Sequence, residues 1–211
     1  MNHLHPILEE ACILLEQLDP HPAHPRQVCF LARQLFQQLD HLHQLDKEDL
    51  VLLEAAALLH DIGWSRSPDG SAHHKYSAAL ILEHRWTSLN PDETILVALT
   101  ARYHRKALPK PAHEPFHNLR PALRHKVLSL SSLLRVADSL DRSHQSLVRS
   151  MECVFEKGNC QLLIHSLGKG EAEARALEKK RDLFELHFST KLEATFLAGT
   201  TPPVPSKMEH V

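Results

Sequence analysis

Apolar residues recur at helical spacing along most of the chain. Leu8, Ala11, Cys12, Leu15 and Leu18 share one face of a predicted helix over 5–18, with Pro6 near its first turn. Three prolines in 19–25 predict a loop. Val28, Leu31, Ala32, Leu35 and Leu39 mark a second helix over about 25–40. His24 precedes Val28 by four residues and Leu31 by seven, so it is expected to project inward at that helix's start. Asp46 can cap a third helix, with Glu48 and Asp49 in its first turn. Its body, 50–60, is apolar nearly all round apart from Glu54, the pattern of a central, buried helix. It ends in His60-Asp61-Ile62-Gly63, and 64–72 reads as a loop.

The second half carries three more helical patterns. In 73–86, His74, Ala78 and Ile81 align, so His74 is expected to face inward and His73 elsewhere. Asn90-Pro91-Asp92-Glu93 is the signature of a capped start, and the helix behind it runs to about 105, with Val97, Ala101 and His104 on one face. Residues 109–115 predict a loop. A helix over about 120–142 carries Leu123, Val127, Leu130, Leu134 and Ala137, and Asp138 lies at the edge of that stripe. Asp141 lies on it too and competes with Asp138 for an inward role. After 145 the pattern changes. Residues 150–167 predict a β-hairpin around Gly158-Asn159, 171–188 an amphipathic helix, and 191–197 a possible closing strand. Residues 201–211 predict a disordered tail.

Composition narrows the class. Gly is scarce, at 6 of 211 residues, and aromatics are 5%, which argues against an all-β fold. At 43% apolar residues the chain can bury a core. No run of about 18 apolar residues exists, and no signal peptide is visible, so no membrane partner is expected. The formal net charge of −2 gives no strong field for nucleic acid. Four cysteines without a CxxC pair fit free thiols in a reducing cytoplasm, although Cys153 and Cys160 could face each other across the hairpin.

Histidine is the outlier, at 18 residues. Most lack companions at useful spacing, and His43, His144, His165 and His187 are expected at the surface with them. His60-Asp61 differs, because it puts an imidazole beside a carboxylate at the end of a buried helix. A buried carboxylate with no cation is costly, and a divalent ion would relieve that cost by taking carboxylate oxygen and neutral imidazole together. His24 and Asp138 supply two more inward ligands, which with His60 and Asp61 make a hard site for Mn, Mg, Fe, Co or Ni. His74 and His104 could hold a second ion or meet a substrate phosphate. Lys75, Arg105 and Arg135 are the nearest cations for phosphate.

The order His24 … His60-Asp61 … Asp138 resembles the HD superfamily of metal-dependent phosphohydrolases. LLEAAALLHDIGW, HHKYSAALIL, ALTARYHRKALPK and LSSLLRVADSLDRSH together resemble the C-terminal HD domain of the exopolyphosphatase/guanosine pentaphosphate phosphatase family. The hairpin and ALEKKRDLFELHF resemble the small α+β part that follows it there. The resemblance covers roughly 20–197 and implies a mainly α fold: a helical HD domain over 1–145, an α+β subdomain over 146–198, and the tail 199–211. It favours Asp138 over Asp141 as ligand. Two departures stand out. Many relatives have His at the position of Tyr76. The glycine-rich phosphate loops of that family's catalytic ATPase-like fold are not found, so polyphosphatase activity of that kind is not expected.

The resemblance implies a phosphohydrolase for a nucleotide or another small phosphoester or phosphoanhydride. One or two divalent metals would sit on His24, His60, Asp61 and Asp138. Asp61, His74 and His104 would serve catalysis, and Lys75, Arg105 and Arg135 would hold phosphate. A homodimer is compatible with it. Two other readings stay open: a non-catalytic polyphosphate- or nucleotide-binding module with a structural metal, and a dispersed histidine-rich metal buffer.

Overall fold

A computed structural model of the chain describes residues 4–67, 69–105, 108–110, 113–156 and 158–199. The tail expected to be disordered lies outside these residues. Helix α1 (Pro6–Leu18) buries Leu8, Ala11 and Leu15, and the His5 ring accepts the Ile7 N–H at its start. Helix α2 (Ala23–Gln38) buries the Val28/Leu31/Leu35 stripe, and His24 is buried in its first turn. The predicted 25–40 helix breaks at Leu39 and continues as a single turn, α3 (Asp40–His43), closed by Gln44 in the left-handed region.

Helix α4 (Lys47–Leu59) starts on the Asp46 cap, where Asp46 and Asp49 exchange backbone bonds reciprocally. Residues 52–59 are all buried, and α1, α2, α6 and α7 pack around them. Glu54 is the one charge inside this surface, and it is ion-paired with Arg33. A short 3-10 segment (Ile62–Arg66) leads to α5 (His73–Glu83). Helix α6 (Pro91–Arg102) opens on a second reciprocal box, Asn90 with Glu93. Helix α7 (Pro121–Ser139) completes the bundle.

The chain is mostly helical, with a small sheet at its C-terminal end. Strands β1 (Val148–Glu156) and β2 (Asn159–Ser166) form the predicted hairpin, with Gly158 at φ +82° in the turn. The predicted 171–188 helix bends at Arg181 into α8 (Glu171–Lys180) and α9 (Asp182–Phe188), so that Leu177 and the Leu183/Phe184 pair are all buried. Strand β3 (Lys191–Ala198) then pairs parallel to β2, giving the order β1-β2-β3.

Helix α2 runs along the outer edge of β1. Gln34 accepts the Met151 N–H, and Gln38 binds both the Met151 carbonyl and the Cys153 N–H. Buried residues of the sheet and of α8 and α9 join the same apolar cluster as the helices. The four cysteines are free; Cys153 pairs with Leu162 in the hairpin register, and its side chain meets that of Cys160 diagonally across the strands. Among the described residues, no helix is long and apolar enough to cross a membrane.

Candidate metal centre

Five elements deliver side chains to one point. The first turn of α2 supplies His24, the end of α4 supplies His60 and Asp61, and the first residue of α5 is His73. His104 follows α6, and Asp138 is in the last turn of α7. Each imidazole is held from behind. Nδ1 donates to the Ala57 carbonyl in His60 (2.7 Å), to Ala101 in His104 (2.6 Å) and to Gly70 in His73 (2.7 Å). In His24 it donates to the Asp141 carboxylate at 2.8 Å. A carbonyl or carboxylate oxygen here only accepts, so Nδ1 carries the hydrogen, and Nε2 offers its lone pair whenever the ring is neutral.

These Nε2 atoms meet two carboxylates. His24 Nε2 lies 3.5 Å from Asp138 Oδ1 and 3.9 Å from Asp61 Oδ2. His60 Nε2 lies 3.6 Å from Asp61 Oδ2 and 4.0 Å from Asp138 Oδ1. The other Asp61 oxygen, Oδ1, lies 3.2 Å from His73 Nε2 and 3.6 Å from His104 Nε2. Asp61 thus joins two overlapping groups, His24/His60/Asp138 on one side and His73/His104 on the other.

Electrostatics shows what this arrangement lacks. Burial would raise the Asp61 carboxyl, but the facing His60 above all holds it below the usual carboxylate range. Burial opposes the charge on Asp138 too, yet Lys180 and His24 keep it well below that range. Burial would lower His24, but Asp138 and Asp141 outweigh it and raise the ring to about 9. Burial drives His104 well below its ordinary value, and His73 is lowered for the same reason. Neutral His73 and His104 then face each other, Nε2 to Nε2, at 3.3 Å. Two lone pairs at that distance repel. Among the described residues, buried His60 Nε2 and Asp61 Oδ1 have no hydrogen-bond partner, and such atoms are costly unless satisfied.

A divalent cation fits both requirements. Metal–ligand bonds of about 2.1 Å set neighbouring ligand atoms about 3.0–3.4 Å apart. The observed separations of 3.2–4.0 Å need only a small contraction. His24, His60 and Asp138, and His60, Asp61 and His104, each form a group able to hold an ion.

A sequence model of the family described as Ppx/GppA phosphatase, domain III, matches residues 14–191. The chain belongs to this family. A search of curated proteins found no significant match. The matched Ppx/GppA segment contains every residue of the centre, from His24 to Lys180.

Within this Ppx/GppA domain, His24, His60, Asp61, His104 and Asp138 are brought together, and four sequence expectations are corrected. His73, expected to point away, reaches Asp61. It is the first residue of α5, and that helix end abuts the centre. His74 is buried behind it, its ring 5.8 Å from His73 and 6.4 Å from His104, and it does not line the cleft. Lys75 is exposed and away from the cleft. Arg135 is buried and already engaged: it donates to the Tyr103 and Lys180 carbonyls and pairs with Asp182 at 2.5 Å, which removes it from phosphate binding. Arg105 does line the cleft, where it donates to the Gly70 carbonyl at 3.1 Å.

Several contributors were missed. His144 is exposed, as expected, but it also stacks on His24 with centroids 3.8 Å apart and planes within 3°. His43 and His165 are buried and His187 is half-buried, contrary to the expectation that they lie at the surface. Asp141, just past the end of α7, orients His24, as its place on the predicted 120–142 stripe allowed. Lys180, from α8, is ion-paired with Asp138. The cleft in front of the centre has a volume of about 740 Å³ and is rimmed by Arg105, Arg142, Arg175 and Lys179, with half-exposed Trp64 stacked on His73.

Proposed function

We propose that this chain is an HD-type, divalent-metal-dependent phosphohydrolase for a small phosphorylated compound such as a nucleotide. The observation that carries the reading is the set of four imidazoles, each with Nδ1 engaged from behind and Nε2 aimed at Asp61 and Asp138. Such backing bonds fix the ring orientation of metal-binding histidines. His24, His60, Asp61 and Asp138 would hold one ion, and Asp61, His73 and His104 would hold a second. A bound divalent ion supplies Lewis acidity toward a phosphoryl oxygen and lowers the pKa of water.

The residues of the chain do the rest. The cationic rim draws an anionic substrate into the cleft, and its arginines offer paired donors to phosphate oxygens. Neutral His73 and His104 can accept a proton at Nε2 when no ion occupies that atom. Asp141 and the Ala57, Gly70 and Ala101 carbonyls keep the rings from rotating away. The proposed partner is the phosphorylated substrate itself, in the cytoplasm, without nucleic acid.

The test combines metal content with turnover. Purified protein is expected to retain one or two divalent ions per chain by elemental analysis. It is expected to hydrolyse members of a panel of nucleotides and aryl phosphates with Mn, Mg, Fe, Co or Ni. Asp61→Asn, which removes the bridging charge, should lower that hydrolysis at least about 100-fold while the folded circular dichroism persists. Bound metal without turnover of any panel member overturns the enzyme reading in favour of a ligand-binding module. More than two ions per chain, bound weakly, would instead favour a metal buffer.

A further inference from the structure

Asp138 divides its two oxygens between different tasks. Oδ1 faces His24 and His60, at 3.5 Å and 4.0 Å. Oδ2 is ion-paired with the Lys180 ammonium. Lys180 is the last residue of α8, in the C-terminal part of the chain, and its side chain is largely covered at 18% exposure.

Its backbone is fixed as well as its charge. Arg135 Nε donates to the Lys180 carbonyl at 3.3 Å, while the two other guanidinium nitrogens hold the Tyr103 carbonyl and Asp182. Arg135 precedes Asp138 by three residues, about one turn of α7, so the two share a face. Helix α7 therefore grips Lys180 at two points, carbonyl and ammonium. An exposed lysine seldom keeps one geometry, but this one has little freedom left.

Resting on the metal reading above, we infer that Lys180 is a positioning residue that stands in for the ion. Asp61, Asp138 and the Asp141 carboxylate behind His24 gather at a poorly solvated spot, and Lys180 brings an ammonium directly onto Asp138. The fold thereby tolerates the centre without metal. Once an ion is bound, the same ammonium repels it across Asp138 and withholds the second Asp138 oxygen. Lys180 thus weakens metal affinity and makes the centre exchangeable, and the C-terminal part of the chain sets that affinity.

The experiment measures Mn²⁺ affinity by competition with a fluorescent chelator, and melting temperature with EDTA or with Mn²⁺. Lys180→Met should bind Mn²⁺ about tenfold more tightly or better. It should melt lower than wild type in EDTA and gain more from added Mn²⁺. Lys180→Arg should restore the wild-type affinity. On an Asp138→Asn background, Lys180→Met should no longer tighten binding, because the pair is already broken. Should Lys180→Met fail to fold, Asp182→Asn loosens the Arg135 clamp at a half-exposed position, and is expected to tighten binding two- to fivefold, on the order of a rim ion pair. No Mn²⁺ binding by the wild-type chain overturns the metal reading and this inference with it. Wild-type binding, with equal or weaker affinity in the Lys180 and Asp182 variants, overturns the role of Lys180 alone.

Discussion

The protonation of His24 strongly affects the metal-free protein. Burial opposes its charge, but Asp138 and Asp141 raise it to about 9 from an ordinary 6.5. A raised folded value gives stability that is fully present below 6.5 and is lost as pH climbs through 9. His104 and His73 work in the opposite sense. They are buried neutral and lowered, so the unfolded chain binds more protons than the folded one below 6.5, and stability falls on acidification. Chelator-treated protein should therefore be most stable to urea near pH 6.5 and lose stability steadily toward pH 9. Bound metal displaces the His24 Nε2 proton, so the alkaline loss should disappear when the urea series is repeated at saturating Mg²⁺. A flat profile in chelator would contradict the charge assigned to His24. Single residues also mark the limits of reading from sequence. His24, His60, Asp61 and Asp138 stand out because each combines a polar head with an inward helical position. His73 does not, since periodicity assigns only one of two adjacent residues to a face, and the helix end breaks that rule. Lys180 has no local signal at all, because its partner lies on another helix 42 residues away.

At the scale of elements, the joint between α4 and α5 deserves a direct probe. The Gly63 N–H donates to Ser77 Oγ at 2.9 Å, and a Cβ at Gly63 would collide with the His73 carbonyl and the Ser77 amide. Backbone, unlike a flexible side chain, cannot step aside. Gly63→Ala should therefore push the 3-10 segment away from α5, costing about 1–3 kcal/mol and separating Asp61 from His73. Urea denaturation reads the first effect and Mn²⁺ titration the second. An unchanged midpoint and affinity would show that the joint yields more easily than its contacts indicate. The capped helix starts at Asp46 and Asn90 and the Gly158 turn could be read from sequence, because each has its own side-chain or backbone chemistry. The breaks at Leu39 and Arg181 could not. Neither carries Gly or Pro, and both follow from what the flanking turns bury.

For the molecule as a whole, the fold class was readable because the switch from a helical to an alternating pattern near residue 146 is abrupt. Pattern does not reveal how strongly the two parts depend on each other. Buried Arg135 relies on Asp182 and the Lys180 carbonyl, and buried Asp138 relies on Lys180. Removing such partners leaves uncompensated charges costing about 3 kcal/mol or more each, against a typical total stability of about 5–15 kcal/mol. A chain ending at residue 145 should accordingly show no cooperative thermal transition in chelator, by calorimetry or circular dichroism. A sharp transition near that of the full chain would show that the helical part stands alone.

The glutamines of α2 have one last consequence, for how copies of this protein can associate. They occupy the outward hydrogen-bonding groups of β1 at Met151 and Cys153, so that side of the sheet is closed to another strand. On the opposite side, Arg181 and Glu185 hold the carbonyl and N–H of Leu192 in the same way. Strand addition is thereby blocked at Met151 and Cys153 on one side and at Leu192 on the other. Side chains from helices therefore guard this small sheet against the edge-to-edge pairing that lets copies of a protein aggregate.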